Sequence, residues 1–288
     1  MALDWISRLR SLSRQTKLLL LWVSAAVSAG AVLLLPRIPQ WQSYHDFADK
    51  RALGPIPNAG DVLSNIAFLA VGAVGLAWLA ARSGRRNSAL PPAQAEARAE
   101  LDRVTWGAFA AAFSLTAFGS AWYHLAPNDQ RLVFDRLPMT IVAAGAMAGV
   151  ASDQLGHRAG RLILFLYGAA GIASVLYWTN TQQAGVGDLR PYGWTQAYPA
   201  LGIASLLALF PHRFSHAADL LRGGACYGVA KLCEALDKPI YAVGHIVSGH
   251  TLKHLFAAAA GLYILHMLQR RDVLRGPSPQ ISVVASSG

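Results

Sequence analysis

Charged residues are scarce in this sequence. They make up 14% of the chain, whereas hydrophobic residues make up 54%. Soluble domains carry about a quarter charged residues, so this balance argues against a soluble fold. Several stretches contain the roughly 20 mostly apolar residues that a membrane-spanning helix needs. The composition therefore predicts an all-α integral membrane protein.

Cysteine is also scarce, because the chain has only Cys226 and Cys233. If both lie on one helix, a rise of about 1.5 Å per residue separates them by roughly 10 Å. A disulfide needs Cα atoms within about 7 Å of each other. We therefore predict two free thiols, and the sequence excludes a fold that depends on disulfides.

Acidic residues are outnumbered, with 15 Asp and Glu against 25 Lys and Arg, which gives a formal charge of +10. In a soluble protein this excess suggests nucleic-acid binding. Here the basic residues lie between apolar segments instead of along one stripe, and no nucleic-acid-binding motif is evident. We expect basic loops that fix the orientation in the membrane, and neither a nucleic-acid partner nor a protein partner.

Eight apolar segments divide the chain. They lie at 18–35, 61–81, 104–124, 133–151, 161–179, 193–211, 223–241 and 249–268. We predict a seven-helix core bundle plus one extra N-terminal transmembrane helix. The predicted parts are a basic interfacial N-terminus (1–17), the extra helix (18–36), an outer loop (37–60), the core (61–270) and a disordered tail (271–288). A signal peptide is the alternative for the first segment, which is long for that role.

The distribution of basic residues predicts the orientation. With eight spans and a cytoplasmic N-terminus, the cytoplasmic segments hold 16 Lys and Arg and the outer segments hold 7. Cytoplasmic loops are the ones enriched in Lys and Arg, so both termini are predicted to be cytoplasmic. The protein would lie in the plasma or inner membrane if its source is bacterial, and in an internal membrane if its source is eukaryotic.

Two short motifs carry chemistry. Ser120 and His124 are four residues apart at the end of the third predicted helix, and Asp135 lies near the start of the fourth. His250 and His254 are four apart at the start of the eighth. Residues at this spacing share a helix face. Topology then predicts that all five lie on the outer face of the membrane.

Three histidines at one depth indicate a metal site. A histidine pair at i and i+4 is typical of zinc proteases, and three protein ligands leave the fourth position of zinc open. Two alternatives stay open: Asp135 caps a helix, and Ser120 is a packing residue. Haem held between transmembrane histidines is a second metal hypothesis. The other histidines are interpreted as headgroup-facing or loop residues: His45, His157, His212, His216, His245 and His266.

Together these motifs resemble the alkaline ceramidase family, which belongs to the CREST group of membrane hydrolases. Shorter sequence motifs also agree with this family, namely DVLSN at 61–65, Tyr198-Pro199 and Cys233-Glu234. The resemblance covers roughly 44–268 of the chain. It implies that His124, His250 and His254 bind zinc, and that Ser120 and Asp135 lie beside the water that the zinc activates.

The resemblance also implies a reaction. A zinc-dependent intramembrane hydrolase would cleave the N-acyl amide of a ceramide-like lipid to a fatty acid and a free long-chain base. Tyr177 is a candidate oxyanion donor, with Tyr192 and Tyr198 competing for that role. Trp122 and Trp178 would line the lipid entrance or form an ordinary interface belt. Alternatives are an esterase or lipid-binding receptor of the same fold, and a haem-binding electron carrier.

Ceramidase-type members of the family also bind calcium before their first core helix. The matching stretch of this chain offers Asp46 and Asp49, with Asn58 a further candidate, as hard oxygen ligands. The sequence departs from the family pattern, because Arg51 replaces a neutral ligand and Asn58 replaces a carboxylate. A second metal site for Ca²⁺ is therefore an expectation of the resemblance alone.

Overall fold

The computed structural model describes residues 4–81 and 90–274. In these ranges every regular element is a helix, and the only strand-like pairs are two isolated bridges. The all-α prediction is therefore confirmed. Most of the predicted disordered tail lies outside the described residues.

Twelve helices and one 3₁₀ turn (Gln42–His45) make up the described ranges. The helices are α1 (Asp4–Ser11), α2 (Arg14–Leu34), α3 (Ala59–Leu63), α4 (Ile66–Ala81), α5 (Pro92–Ala99), α6 (Arg103–Leu125), α7 (Asp129–Leu155), α8 (His157–Gln183), α9 (Arg190–Leu209), α10 (Ala218–Ala235), α11 (Asp237–Ala242) and α12 (Gly249–Arg270).

Six of the helical segments in the described ranges are long and apolar enough to cross a membrane. They are α2, the joined α3 and α4, α6, α7, α8 and α12. This supports a multi-pass membrane protein. Helices α9 and α10 are not among the six, so the count of eight spans stays a prediction.

Helix α10 differs most from its predicted segment. The apolar stretch at 223–241 is not one helix, because α10 ends at Ala235 and the short α11 starts at Asp237. Four charged side chains also lie within α10, namely Asp219, Arg222, Lys231 and Glu234. These charges lower its mean hydropathy, which explains why length alone does not make it a membrane span.

Two glycines allow close helix contacts beside the motif residues. A Cβ at Gly119 of α6 would lie 2.0 Å from the carbonyl oxygen of Phe134 in α7. A Cβ at Gly249 of α12 would lie 2.2 Å from the carbonyl oxygen of Cys233 in α10. Small residues let helix backbones approach closely in membranes. The chain therefore brings Ser120 towards α7 and His250 towards α10.

The predicted extra helix α2 lies at the edge of the bundle. Only 6% of its apolar window is buried inside the protein. It packs mainly against α9, where the Trp194 indole donates a hydrogen bond to the Ser28 hydroxyl (3.0 Å). The Tyr198 hydroxyl donates to the Leu21 carbonyl (3.2 Å). These contacts fit a helix added to the outside of a core bundle.

Candidate metal centre

Three histidines from two helices converge on one point. His124 lies in the last turn of α6, whereas His250 and His254 lie in the first two turns of α12. Their ring centroids are 4.7, 4.9 and 5.0 Å apart, and one nitrogen from each ring lies within 4.8 Å of the others. All three side chains are buried. The predicted convergence of the three residues is therefore confirmed.

The spacing of the rings matches a tetrahedral ion. With metal–nitrogen bonds of about 2.0–2.1 Å, three imidazoles around a tetrahedral zinc have ring centroids about 5 Å apart. Two imidazoles on opposite faces of a haem would have centroids more than about 6 Å apart. The observed 4.7–5.0 Å fits the first arrangement. The geometry therefore favours a small ion over haem.

His124 has polar atoms that need a partner. Its side chain is fully buried, and neither ring nitrogen has a hydrogen-bond partner among the described residues. An unsatisfied buried polar group costs about 1–3 kcal/mol. A metal ion accepts the lone pair of one of these nitrogens and removes most of that cost. This orphaned imidazole is the strongest sign that the residues fit a metal.

A hydrogen bond to Ser64 fixes the tautomer of His254. Its Nδ1 lies 2.7 Å from the Ser64 hydroxyl oxygen, and that hydroxyl donates its own proton to the Asp61 carbonyl (3.1 Å). The Ser64 oxygen must then accept a proton from Nδ1. The remaining nitrogen, Nε2, is therefore unprotonated. Partners that fix the tautomer in this way are typical of metal-binding histidines.

The start of α12, which carries His250, is fixed by two carboxylates, of which Asp61 is buried and Asp237 half-buried. Asp237 accepts a hydrogen bond from the backbone N–H of His250 (2.8 Å). Asp61 accepts from Thr251 (2.7 Å) and from Ser248, the N-cap residue of α12 (3.0 Å). Carboxylates are favoured at helix N-termini, where N–H groups lack intrahelical partners. These contacts hold the ligand helix in register with α3.

Ser120 and Asp135 lie together beside the triad. Both side chains are buried. A Cβ at Gly119, next to Ser120, would lie 3.4 Å from the backbone nitrogen of Asp135, so the two residues belong to closely packed stretches of α6 and α7. Their position beside an activated water stays a prediction of the resemblance.

A buried ion pair borders His250. The Lys253 ammonium lies 2.6 Å from a Glu234 carboxylate oxygen and 3.5 Å from Nε2 of His250. Tyr44 donates a hydrogen bond to the same Glu234 oxygen (3.2 Å). Lys231 also pairs with Glu234. Because Glu234 balances the buried lysine, the cation is tolerated beside a metal site.

Phe47 covers the triad. Its ring centroid lies 4.4 Å from that of His250 and 4.7 Å from that of His124, and the side chain is buried. The backbone N–H of the next residue, Ala48, donates to Asp237 (2.9 Å). The loop before α3 therefore closes over the histidines. An apolar cover of this kind excludes bulk water from the site.

The residues predicted to bind calcium already have protein partners. Asp46 contacts Lys50 (2.5 Å) and Lys238 (2.7 Å), and Asp49 contacts Arg51 (2.7 Å). Lys238 and Lys50 lower the pKa of Asp46 to about 2, and Arg51 lowers the pKa of Asp49.

The third predicted calcium ligand is also engaged. Asn58 donates its amide to the carbonyl of His124 (2.8 Å), so it holds the end of α6. Three basic side chains and one amide contact thus occupy the oxygen ligands that calcium would need. The calcium site stays a prediction of the resemblance.

The candidate tyrosines differ in their surroundings. Tyr177 donates to Asp188 (3.1 Å) and is partly exposed, and Tyr198 bonds to α2 as described. Tyr192 lies under the Arg136 guanidinium, 4.7 Å from its ring, next to Asp135. Tyr192 therefore contacts the residue that follows the predicted catalytic Asp135 in the sequence.

Two sequence interpretations are wrong. His45 does not face headgroups, because its ring bridges the Tyr123 hydroxyl (2.8 Å) and Asp129 (3.0 Å) and is largely buried. Trp178 is not an interface residue, because it is fully buried 4.2 Å below Arg136. In both cases the loop before α3 folds back over the bundle, which hydropathy does not reveal.

The structure adds residues that the motifs did not single out: Phe47, Asp61, Ser64, Glu234, Asp237 and Lys253. Asp61 and Ser64 lie in the DVLSN motif, and Glu234 is the second residue of the Cys233-Glu234 motif. Charged residues within apolar segments are costly and usually functional. That signal was available for Lys253 and Glu234, whereas nothing local marks Phe47.

Both cysteines are free, as predicted.

In comparisons with known proteins, no protein-family model matches this chain and no curated protein matches it. The resemblance to alkaline ceramidases therefore depends on the short motifs and their placement.

Proposed function

We propose that this chain is a zinc-dependent intramembrane hydrolase that cleaves the amide bond of ceramide-like lipids. The observation that carries the proposal is the buried triad, whose rings have tetrahedral spacing and in which both His124 nitrogens lack a partner within residues 4–81 and 90–274. The short motifs that resemble alkaline ceramidases supply the substrate class. The active site would face the outer side of the plasma or inner membrane.

His124, His250 and His254 would hold the ion. Imidazole nitrogen suits zinc, and three such ligands leave one position for a reactant. When bound, zinc polarises an acyl carbonyl and makes a water molecule acidic near neutral pH. A structural zinc usually has four protein ligands, so this donor set supports catalysis over a purely structural role.

Asp135 is proposed as the proton carrier. Its carboxylate would take a proton from the attacking water and deliver it to the leaving amine nitrogen, so that the amide breaks to a carboxylic acid and a free amine. The carboxylate ends the cycle without a net gain of protons. Its burial beside the triad supports this assignment.

Ser120 is proposed to orient Asp135. A hydroxyl has a single proton to donate, and Ser120 follows Gly119, where α6 contacts the backbone of α7 beside Asp135. The same hydroxyl would instead donate a hydrogen bond to a developing oxyanion when the carboxylate turns towards the leaving group. The two roles predict different losses of kcat in Ser120→Ala, because only loss of the second role removes a direct stabilisation of the transition state.

A lipid substrate suits the position of the site. The triad lies where α6 ends and α12 begins, and apolar helices surround it. An acyl chain would lie among these helices while the polar amide meets the ion. Phe47 would have to move for the head of the lipid to enter, because its ring covers two of the histidines.

The test is metal analysis combined with hydrolysis by the purified full chain in detergent. N-acyl sphingoid bases of several chain lengths would be incubated with the protein, and released fatty acid would be measured by mass spectrometry. We expect bound zinc and turnover in the wild type. His250→Ala should lose both, whereas Asp135→Asn and Ser120→Ala should keep zinc and lose about 10²–10⁴-fold in kcat.

His245→Asn is the matched control. This histidine lies five positions before His250 in an exposed loop with a left-handed backbone (φ 55°), which asparagine tolerates. Zinc without turnover on any amide would overturn the amidase proposal. Turnover of esters alone would indicate an esterase, zinc without any turnover a lipid-binding receptor, and a Soret band in place of zinc a haem protein.

A further inference from the structure

A second group of metal-ligand side chains lies at the opposite end of α12. His216 belongs to the loop before α10, Asp219 to the first turn of α10, and His266 to the last two turns of α12. One ligand atom from each lies within 4.8 Å of the others. We propose that these three residues form a second divalent metal site, selective for zinc-like ions over Ca²⁺ and Mg²⁺.

The geometry is close to that of a bound ion. Oδ2 of Asp219 lies 2.8 Å from Nδ1 of His266 and 3.7 Å from Nδ1 of His216. The two imidazole centroids are 5.8 Å apart, compared with about 5 Å around a tetrahedral zinc. Closure by less than about 1 Å would therefore bring all three donor atoms to one ion. The ion would replace the hydrogen bond between His266 and Asp219.

The carboxylate is arranged to offer one oxygen. Its side chain is 1% exposed, whereas the side chains of His216 and His266 are 38% and 51% exposed. The other oxygen, Oδ1, accepts from the Arg222 guanidinium (2.6 Å). Arg222 thereby neutralises one half of the group and leaves Oδ2 directed at the two rings. A buried carboxylate that faces two accessible imidazoles differs from a random surface cluster.

The backbone around His216 supports the arrangement. His216 adopts a left-handed conformation (φ 64°), which only two other non-glycine residues of the described ranges share. For a residue with a side chain this conformation is unfavourable, because Cβ comes close to the following carbonyl oxygen.

The loop that contains His216 is tied to the chain after α12. The backbone N–H of Ser215 donates to the Asp272 carbonyl (2.9 Å), and Asp272 N–H donates back to the Ser215 hydroxyl (2.9 Å). The strained residue is therefore held in place.

The donor types select the class of ion. Two imidazoles and one carboxylate favour Zn²⁺ and similar transition metals, whereas Ca²⁺ and Mg²⁺ prefer oxygen ligands throughout. Because both rings are accessible, the ion would exchange with the solvent more readily than one in the buried triad. His254 and His266 are 12 positions apart, which is roughly 18 Å along a helix. The two sites therefore share no ligand.

Counting bound ions tests the proposal. The full chain in detergent would be stripped with a chelator, loaded with Co²⁺ or Zn²⁺, freed of excess ion and analysed for metal, with the visible spectrum of Co²⁺ as a second readout. We expect about two ions per wild-type chain. His266→Ala and His216→Ala should each remove one ion and the corresponding part of the Co²⁺ spectrum.

Two controls keep the result specific. His212→Ala removes an exposed histidine from the same loop and should leave the count unchanged. His124→Ala should remove only the triad ion. Matched elution profiles in chelator would show that the variants fold without metal. A wild-type count that His216→Ala and His266→Ala leave unchanged would overturn the proposal.

The two metal sites fail in distinguishable ways. One bound ion lost only in His124→Ala would overturn the second site and leave the triad intact. One bound ion lost only in His266→Ala would support the second site and count against the triad. Equal loss in His212→Ala would indicate adventitious binding by loop histidines, and that result also overturns the proposal.

Discussion

The triad and the loop with Asp46 and Asp49 were both predicted to bind metal, yet their surroundings differ. The three imidazoles are buried, and in the part of the chain that the structure describes neither nitrogen of His124 has a hydrogen-bond partner. The two carboxylates are paired with Lys50, Lys238 and Arg51. Residue type alone therefore does not define a metal site. Whether a lysine or arginine side chain already occupies the ligand atom is a better criterion.

The largest expected effect is the loss of zinc in a triad variant, and it tests the difference between the triad and the acidic loop directly. His124→Ala should abolish zinc binding and hydrolysis, with a loss above the roughly 100-fold limit of residues that only orient a ligand. Asp46→Asn should leave zinc content and turnover unchanged, because Asp46 is exposed and paired with lysines. Elemental analysis and the fatty-acid assay check both. Equal loss of zinc in the two variants would contradict the distinction.

The next effect concerns the partner that fixes His254. Ser64→Ala removes the acceptor for Nδ1, so we expect metal affinity to fall about 10- to 100-fold. Competition with a chelator of known affinity measures this change. Ser28→Ala is the control, since that hydroxyl bonds to Trp194 on the peripheral α2. Unchanged affinity in Ser64→Ala would mean that packing alone orients His254.

A smaller effect tests the helix contact that brings Ser120 to Asp135. Gly119→Ala places a methyl group against the backbone of α7, and we expect it to destabilise the fold by about 1–3 kcal/mol. Gly107→Ala is the matched control in the same helix, because a Cβ there meets no atom within 4 Å. Denaturant titration in detergent measures both. Equal stability of the two variants would mean that α6 and α7 adjust freely.

The smallest effect concerns pH and the acidic loop. Lys238 and Lys50 lower the pKa of Asp46 to about 2, below the roughly 3.9 of an unfolded chain. The pairing therefore stabilises the fold above about pH 4 and loses this contribution as the pH falls towards about 2. Exposure keeps the effect small. Asp46→Asn should be slightly less stable than the wild type at pH 7, and the two proteins should be equally stable at low pH.

Much of the site was predictable because its parts are local. The spacing of Ser120 and His124, and of His250 and His254, fixes helix faces before any tertiary structure forms. Helix topology then placed both pairs on one side. The all-helical class followed from apolar runs, and six membrane-length helices support it.

The remaining features depend on contacts between distant parts of the chain. Phe47 and His45 reach the bundle only because their loop folds back over it, so the sequence indicated a headgroup-facing His45 and gave no signal for Phe47. The break between α10 and α11 lies inside one predicted segment, next to Asp237 and Lys238, and these charges alone did not show that the helix ends there. Partners such as Ser64 and Asp237 become recognisable only when the backbone and side-chain groups that they bond are in place.

Asp237 links two events that would otherwise be separate. One of its oxygens accepts from Ala48, beside the Phe47 cover, and the other accepts from the backbone of His250. A movement that lifts Phe47 and carries Ala48 away breaks the first bond and frees a carboxylate next to a ligand. In the proposed hydrolase, substrate entry and the binding of the ion would therefore share one side chain, and each opening of the site would loosen the helix that carries two of the ion's ligands.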